Sequence, residues 1–143
     1  MKELDAISAD VIDVALRLHR ELGPGLLESV YEALLAVRLE QMGYRIARQR
    51  AIDIEFDGIC LPAAFCIDLL VDERLLVEIE SAERVLPVHG KQLLTYLRLT
   101  KQPVGLLINF GGETLKDGLR RIVNDYRPSA SSRLRMNHNI GSE

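Results

Sequence analysis

The sequence predicts an α/β fold, a mixed β-sheet flanked by helices, and three observations point to it. Apolar residues recur at helical spacing through the first forty positions. The middle of the chain then changes to short apolar or alternating runs bounded by turn residues. After Pro87 the helical period returns, followed by one more apolar run. The order read from these segments is α-α-β-β-β-β-α-β-α. Strands joined by tight turns pair antiparallel and a strand reached through a helix pairs parallel, so the sheet should be mixed.

Each element has its own signal. Val11, Val14, Ala15, Leu18 and Leu22 mark a first helix over 10–21, with Asp10 as its N-cap. The turn residues of LGPG (22–25) stop it. A second helix over 26–42 presents Leu27, Val30, Tyr31, Leu34, Leu35 and Met42 as its apolar stripe, and Gly43 suits its C-terminal end. Ile52, Ile54 and Phe56 alternate at the end of a strand over 44–56, and Asp57-Gly58 turns it into a short strand at 59–61. Pro62 and two alanines interrupt the chain. FCIDLLV (65–71) and LLVEIE (75–80) then flank the turn Asp72-Glu73-Arg74. A helix over 88–100 and a buried strand over 103–110 follow. Leu115, Leu119, Ile122 and Val123 predict a last helix over 113–126.

The 143 residues fit one domain, assigned to 1–126. The remainder, 127–143, is expected to be a disordered basic tail with little to bury. A net charge of −3 has the wrong sign for gripping nucleic acid over the whole surface. Arg120, Arg121, Arg127, Arg133 and Arg135 leave room only for a local patch, and the alternative is a solvated basic tail. Cys60 and Cys66 match neither a redox pair nor a zinc knuckle and are expected as reduced, largely buried thiols. No secretory signal and no apolar run of membrane-spanning length is visible. The expectation is a cytoplasmic protein with no membrane partner.

Glu78 and Glu80 lie two apart in an apolar strand and therefore share one face. With a three-residue turn at 72–74, Val71 pairs with Leu75 and Asp68 falls opposite Glu78. A two-residue turn would send them to opposite faces. Two facing carboxylates are unfavourable without a cation. A raised pKa or a divalent metal relieves the conflict, and all-oxygen ligation selects Mg²⁺ or Mn²⁺. The competing reading is a satisfied structural aspartate at a strand end that reaches water.

GLLESVY supplies Gly25, Glu28 and Tyr31 in a G-x-x-E-x-x-Y pattern. With IDLLV, VEIE, PVH, QLLTYL and GLLINFG following in that order, the chain resembles the GxxExxY family of the PD-(D/E)xK nuclease superfamily over about residues 10–124. The resemblance implies a restriction-endonuclease-like core and Mg²⁺-dependent phosphodiester hydrolysis. It makes Asp68 the motif aspartate, Glu78 the acid of the E-x-K element, and Glu28 a helix carboxylate supporting the attacking water. Gln92 and Tyr96 match a Q-x-x-x-Y element, and His89 shares their helix face.

One position departs from the pattern. Glu80 stands where the resemblance calls for lysine. Losing one preorganised electrostatic group costs on the order of 10²–10³ in rate, and here the sign also reverses. Asp68, Glu78, Glu80 and Glu28 make a metal set of up to −4 when ionised, against +2 from one Mg²⁺. The expected function is a nuclease-like protein that binds a divalent metal but cuts weakly or not at all. One alternative is an active nuclease in which a second metal or a relocated Lys91 replaces the missing cation; another is a homodimeric binding or assembly module. Lys91 neighbours Gln92, although adjacent helix residues point about 100° apart.

Overall fold

The computed structural model describes residues 2–125. Its elements are α1 (Leu4–Leu22), α2 (Glu28–Gln41), β1 (Ile46–Phe56), β2 (Ile59–Val71), β3 (Leu75–Glu80), α3 (Pro87–Thr100), β4 (Val104–Asn109), a 3₁₀ turn at Lys116–Gly118 and β5 (Leu119–Val123). The strands form one sheet in the order β1-β2-β3-β4-β5. β3 and β4 are parallel and the other neighbours antiparallel, with α3 as the crossover that a parallel pair requires. The α/β class and the mixed sheet are those the sequence predicts.

Four details differ. The chain after β4 does not form the helix expected over 113–126. Leu119–Val123 is a strand paired with β4, from Val104↔Val123 to Ile108↔Leu119. A helical period was present, but β4 would otherwise have been a buried edge with unpaired backbone groups, and pairing overrides the period. The pieces at 59–61 and 65–71 are one strand, because Pro62–Ala64 form an irregularity between the Ile52↔Phe65 and Ile54↔Leu61 pairs. The element order is therefore α-α-β-β-β-α-β-β. Helix α1 starts at Leu4, so Asp10 lies inside it rather than capping it. Finally, α2 is rotated from the expected stripe. It buries Tyr31, Glu32, Leu35, Ala36 and Leu39, leaving Leu27, Val30, Leu34 and Met42 exposed.

The core has two layers, one on each side of the sheet. Leu18 of α1 and Tyr31, Leu35 and Leu39 of α2 pack against Val77, Ile79, Leu106 and Ile108. On the opposite face Leu93 and Leu97 of α3 pack against Leu70, Leu76 and Leu107. This is the period-two division of a strand buried on both sides. It fails at one place. Ile67 belongs to the α3 layer and Leu69 to the other, although an unbroken strand would aim both the same way. Pairing between β2 and β3 ends at Leu69↔Val77, whereas β3 continues beside β4 to Glu80↔Asn109. Beyond Leu69, β1 and β2 leave the sheet as a two-stranded ribbon. Asp68 sits at that fork.

Cys60 and Cys66 are free and exposed on the ribbon, not buried as expected. No helix among the described residues is long and apolar enough to cross a membrane. The tail assigned to 127–143 lies outside the described residues.

Candidate active site

The turn at Asp72-Glu73-Arg74 is followed by the Val71↔Leu75 pair, so Asp68 and Glu78 meet across the fork. They meet through the backbone. The Asp68 amide donates to Glu78 Oε2 at 3.0 Å, and the Ile79 amide donates to Asp68 Oδ2 at 2.8 Å. Where the strands separate, each carboxylate stands in for the carbonyl that the other strand's amide has lost. Burial is the first cause of an upward pKa shift at both. At Asp68 the Ile79 amide and the Gln49 side chain pull the other way, and the charge of Glu32 adds to the rise. Glu78 is pushed up to about 8 by burial and then by the charge of Asp68. Without a cation, burial and the neighbouring charge thus favour the protonated form of Glu78.

Glu80 follows Glu78 on the same face, also raised by burial. His89 opposes that shift, and Glu28, within hydrogen-bonding reach, adds to it. His89 Nδ1 accepts the Leu86 amide at 3.3 Å, which turns Nε2 toward Glu80 Oε1 at 4.0 Å. The chain around Glu80 is held on both sides. Phe110 donates its amide to the Glu80 carbonyl at 2.9 Å. The buried Asn109 side chain exchanges two 2.9 Å hydrogen bonds with the backbone of Ala82. Gly111 lies so close that a Cβ there would stand 2.3 Å from the Ala82 carbonyl oxygen. Ser81 Oγ donates to the Leu26 carbonyl at 2.8 Å and joins this end of β3 to the loop before α2.

That loop explains two of the motif residues. Gly25 has φ +117°, in the left-handed region, with open space where a Cβ would lie, so it is needed for conformation rather than room. Tyr31 donates its hydroxyl to the Gly23 carbonyl, accepts the Leu26 amide at 3.3 Å, and stacks on Phe110 with centroids 4.4 Å apart. Both shape the entry to α2, which carries Glu28 and Glu32 to the cleft. Tyr96 stacks on Phe65 at 4.0 Å, and its hydroxyl pKa is raised by burial and by the charges of Glu78 and Asp68. Lys91 and Gln92 are exposed, and among the described residues neither side chain contacts the carboxylates.

The cleft, about 450 Å³, is lined by Leu26, Leu27, Glu28, Ser29, Glu32, Gln49, Asp68 and Ser81. Glu32 and Gln49 were not anticipated. Gln49 Nε2 donates to Glu32 Oε1 at 2.8 Å and to Asp68 Oδ1 at 3.0 Å, bridging the helix to the fork. Arg48 Nε donates to Glu32 Oε2 at 3.0 Å. Consecutive strand residues normally point apart; Gln49 has φ 51°, and this left-handed kink lets both side chains converge on Glu32. The spacing of Glu28 and Glu32, four apart on one helix face, was the available signal for Glu32.

The donors are all oxygens, which suits a hard divalent cation. No group of three or more His, Cys, Asp or Glu among the described residues is already set around a common metal position. Mg²⁺ is commonly held by one or two carboxylates with waters and phosphate completing the shell, and the Asp68–Glu78 pair fits that need. Among the comparisons with known proteins, a family model described as the PD-(D/E)XK nuclease superfamily matches residues 5–122. No curated protein and no solved structure shows significant similarity.

Proposed function

Because this chain belongs to the PD-(D/E)XK nuclease superfamily, we propose that it is a divalent-metal-binding nuclease-fold protein whose phosphodiester cleavage is weakened by Glu80. Its restriction-endonuclease-like core carries the facing carboxylates of Asp68 and Glu78, which would hold Mg²⁺ or Mn²⁺. The metal, when bound, supplies Lewis-acid activation of a phosphodiester. Glu28 orients water at the mouth of the cleft, and Tyr96 bounds the α3 side. The single observation carrying this reading is the fork, where two half-buried carboxylates meet, each accepting the backbone amide beside the other. The GxxExxY assignment within the superfamily belongs to the same proposal, supported by Gly25 and Tyr31 shaping the loop that delivers Glu28. So does a cytoplasmic setting, which the exposed free thiols suit.

Glu80 is the departure from the E-x-K pattern that the sequence otherwise resembles. A carboxylate where an ammonium is expected repels both the scissile phosphate and the charge that develops on it. Cleavage of single- and double-stranded DNA and RNA in Mn²⁺ is the test. The native chain is expected to cut slowly or not at all, Asp68→Ala to abolish any residual cutting, and Glu80→Lys to raise the rate by about 10²-fold. Native cutting as fast as the Glu80→Lys variant overturns the weakened-site reading, and cutting that survives Asp68→Ala removes the site itself.

A further inference from the structure

We propose that Arg48 is the residue through which this cleft grips a nucleic-acid phosphate, from a strand that contributes no acid to the fork. The inference rests on the nuclease-fold reading above and adds the missing cation to it. Glu28, Glu32, Asp68, Glu78 and Glu80 gather at the cleft or beside it, and an anionic substrate needs a positive partner there. Lys91 has no side-chain contact with any of them, and the His89 ring stands 4.0 Å from Glu80. Among the described residues Arg48 is the cation that pairs with an acid of the cleft lining, Glu32.

The way Arg48 is held separates it from other arginines. Arg17, Arg38 and Arg50 meet Asp13, Glu21 and Glu73 through the terminal nitrogens that would form a fork with phosphate. Arg50 spends both, at 2.9 and 2.7 Å. Arg48 is bound by Nε alone. Among the described residues its Nη1 and Nη2 have no hydrogen-bond partner, and its side chain is 46% exposed. Glu32 is itself buried, its other oxygen taken by Gln49, which also binds Asp68. The guanidinium is thus fixed relative to the fork by three successive hydrogen bonds while its phosphate-binding edge stays open. A planar fork presented this way takes two phosphate oxygens at once. The left-handed backbone at Gln49 fits the same purpose, since residues held in sparse conformations concentrate at functional sites.

The test is binding rather than cleavage. Fluorescence anisotropy of a labelled oligothymidylate is followed in Ca²⁺ over a range of salt for the native chain, Arg48→Ala and Arg48→Lys. Arg48→Ala is expected to weaken binding about tenfold and to flatten the slope of log K against log salt by about 0.7. Arg48→Lys should recover the slope but only part of the affinity. A structural role would lower the melting temperature without touching the salt slope. The Mn²⁺-induced rise in melting temperature, measured on the same samples, reads the acid pair independently. An unchanged salt slope in a folded Arg48→Ala variant that keeps its Mn²⁺ response overturns the grip and leaves the metal reading standing. A native chain that neither binds the oligonucleotide nor responds to Mn²⁺ overturns both.

Discussion

Two regions of this molecule handle acids in opposite ways. At the N-terminus, Asp10 receives Lys2 Nζ at 2.8 Å and the Tyr44 hydroxyl, while Lys2 Nζ also lies 3.1 Å from that hydroxyl. The bond from Lys2, then that from Tyr44, holds the Asp10 carboxyl below the usual carboxylate range. At the fork, Asp68, Glu78 and Glu80 are all shifted upward, with burial the first cause. The same chain that pairs one acid with a lysine leaves three half-buried together at the fork. Facing carboxylates are a cost to folding. The divalent cation proposed above is what would offset that cost.

The strongest way to break this contrast is to ask whether a divalent ion removes the cost. Saturating Mn²⁺ at about a hundredfold excess over Kd should stabilise the native chain by about 2.7 kcal/mol, or about 8 °C in Tm. Asp68→Asn, which keeps an acceptor for the Ile79 amide, should lose that rise. A thermal melt in which Asp68→Asn responds like the native chain removes the fork as a metal site.

A smaller effect comes from pH. Glu78 titrates at 4.5 when unperturbed and at about 8 in the fold, so between those values the native state holds a proton that the unfolded chain has released. Stability contributed by Glu78 is present at the acid end and is lost as pH rises, by on the order of 3 kcal/mol across the window. Urea melts from pH 5 to 8 should show this decline, and Glu78→Gln should flatten it. A native chain that gains stability over this range contradicts the assigned shift.

The smallest effect belongs to the N-terminal cluster, and its sign is reversed. The lowered pKa of Asp10 makes its contribution present above the ordinary carboxylate value and lost as pH falls through the lowered one. Exposed pairs contribute little, so Asp10→Asn should cost no more than about 4 °C in Tm at pH 7 and progressively less on acidification. An Asp10→Asn loss smaller than that of Asp68→Asn in metal-free buffer would invert the comparison.

How much of this was legible follows from the kind of pattern each feature obeys. The meeting of Asp68 and Glu78 could be read because strand parity is strict and the intervening turn has three residues. That the carboxylates would bind each other's backbone could not, since it depends on two strands separating after Leu69. The final strand was misread because Leu115, Leu119, Ile122 and Val123 satisfy a helical period, while the unpaired edge of β4 that decides the matter belongs to another segment. Glu32 was overlooked for a related reason. Counting Leu27, Val30 and Leu34 as the inner stripe turned α2 away from the face that carries Glu32 into the protein. Arg48 and Gln49 reach one partner only because of a left-handed residue within a strand, for which the amino acids carry no mark.

The kinked Gln49 also couples parts of the chain that share no sequence neighbourhood. Its amide hydrogens reach a helix on one side and the departing ribbon on the other, so α2 cannot shift without pulling on Asp68. An apolar tip bearing Phe56, Ile59 and Leu61 lies at the far end of that ribbon. One continuous pair of strands thus joins that tip to the acids at its base.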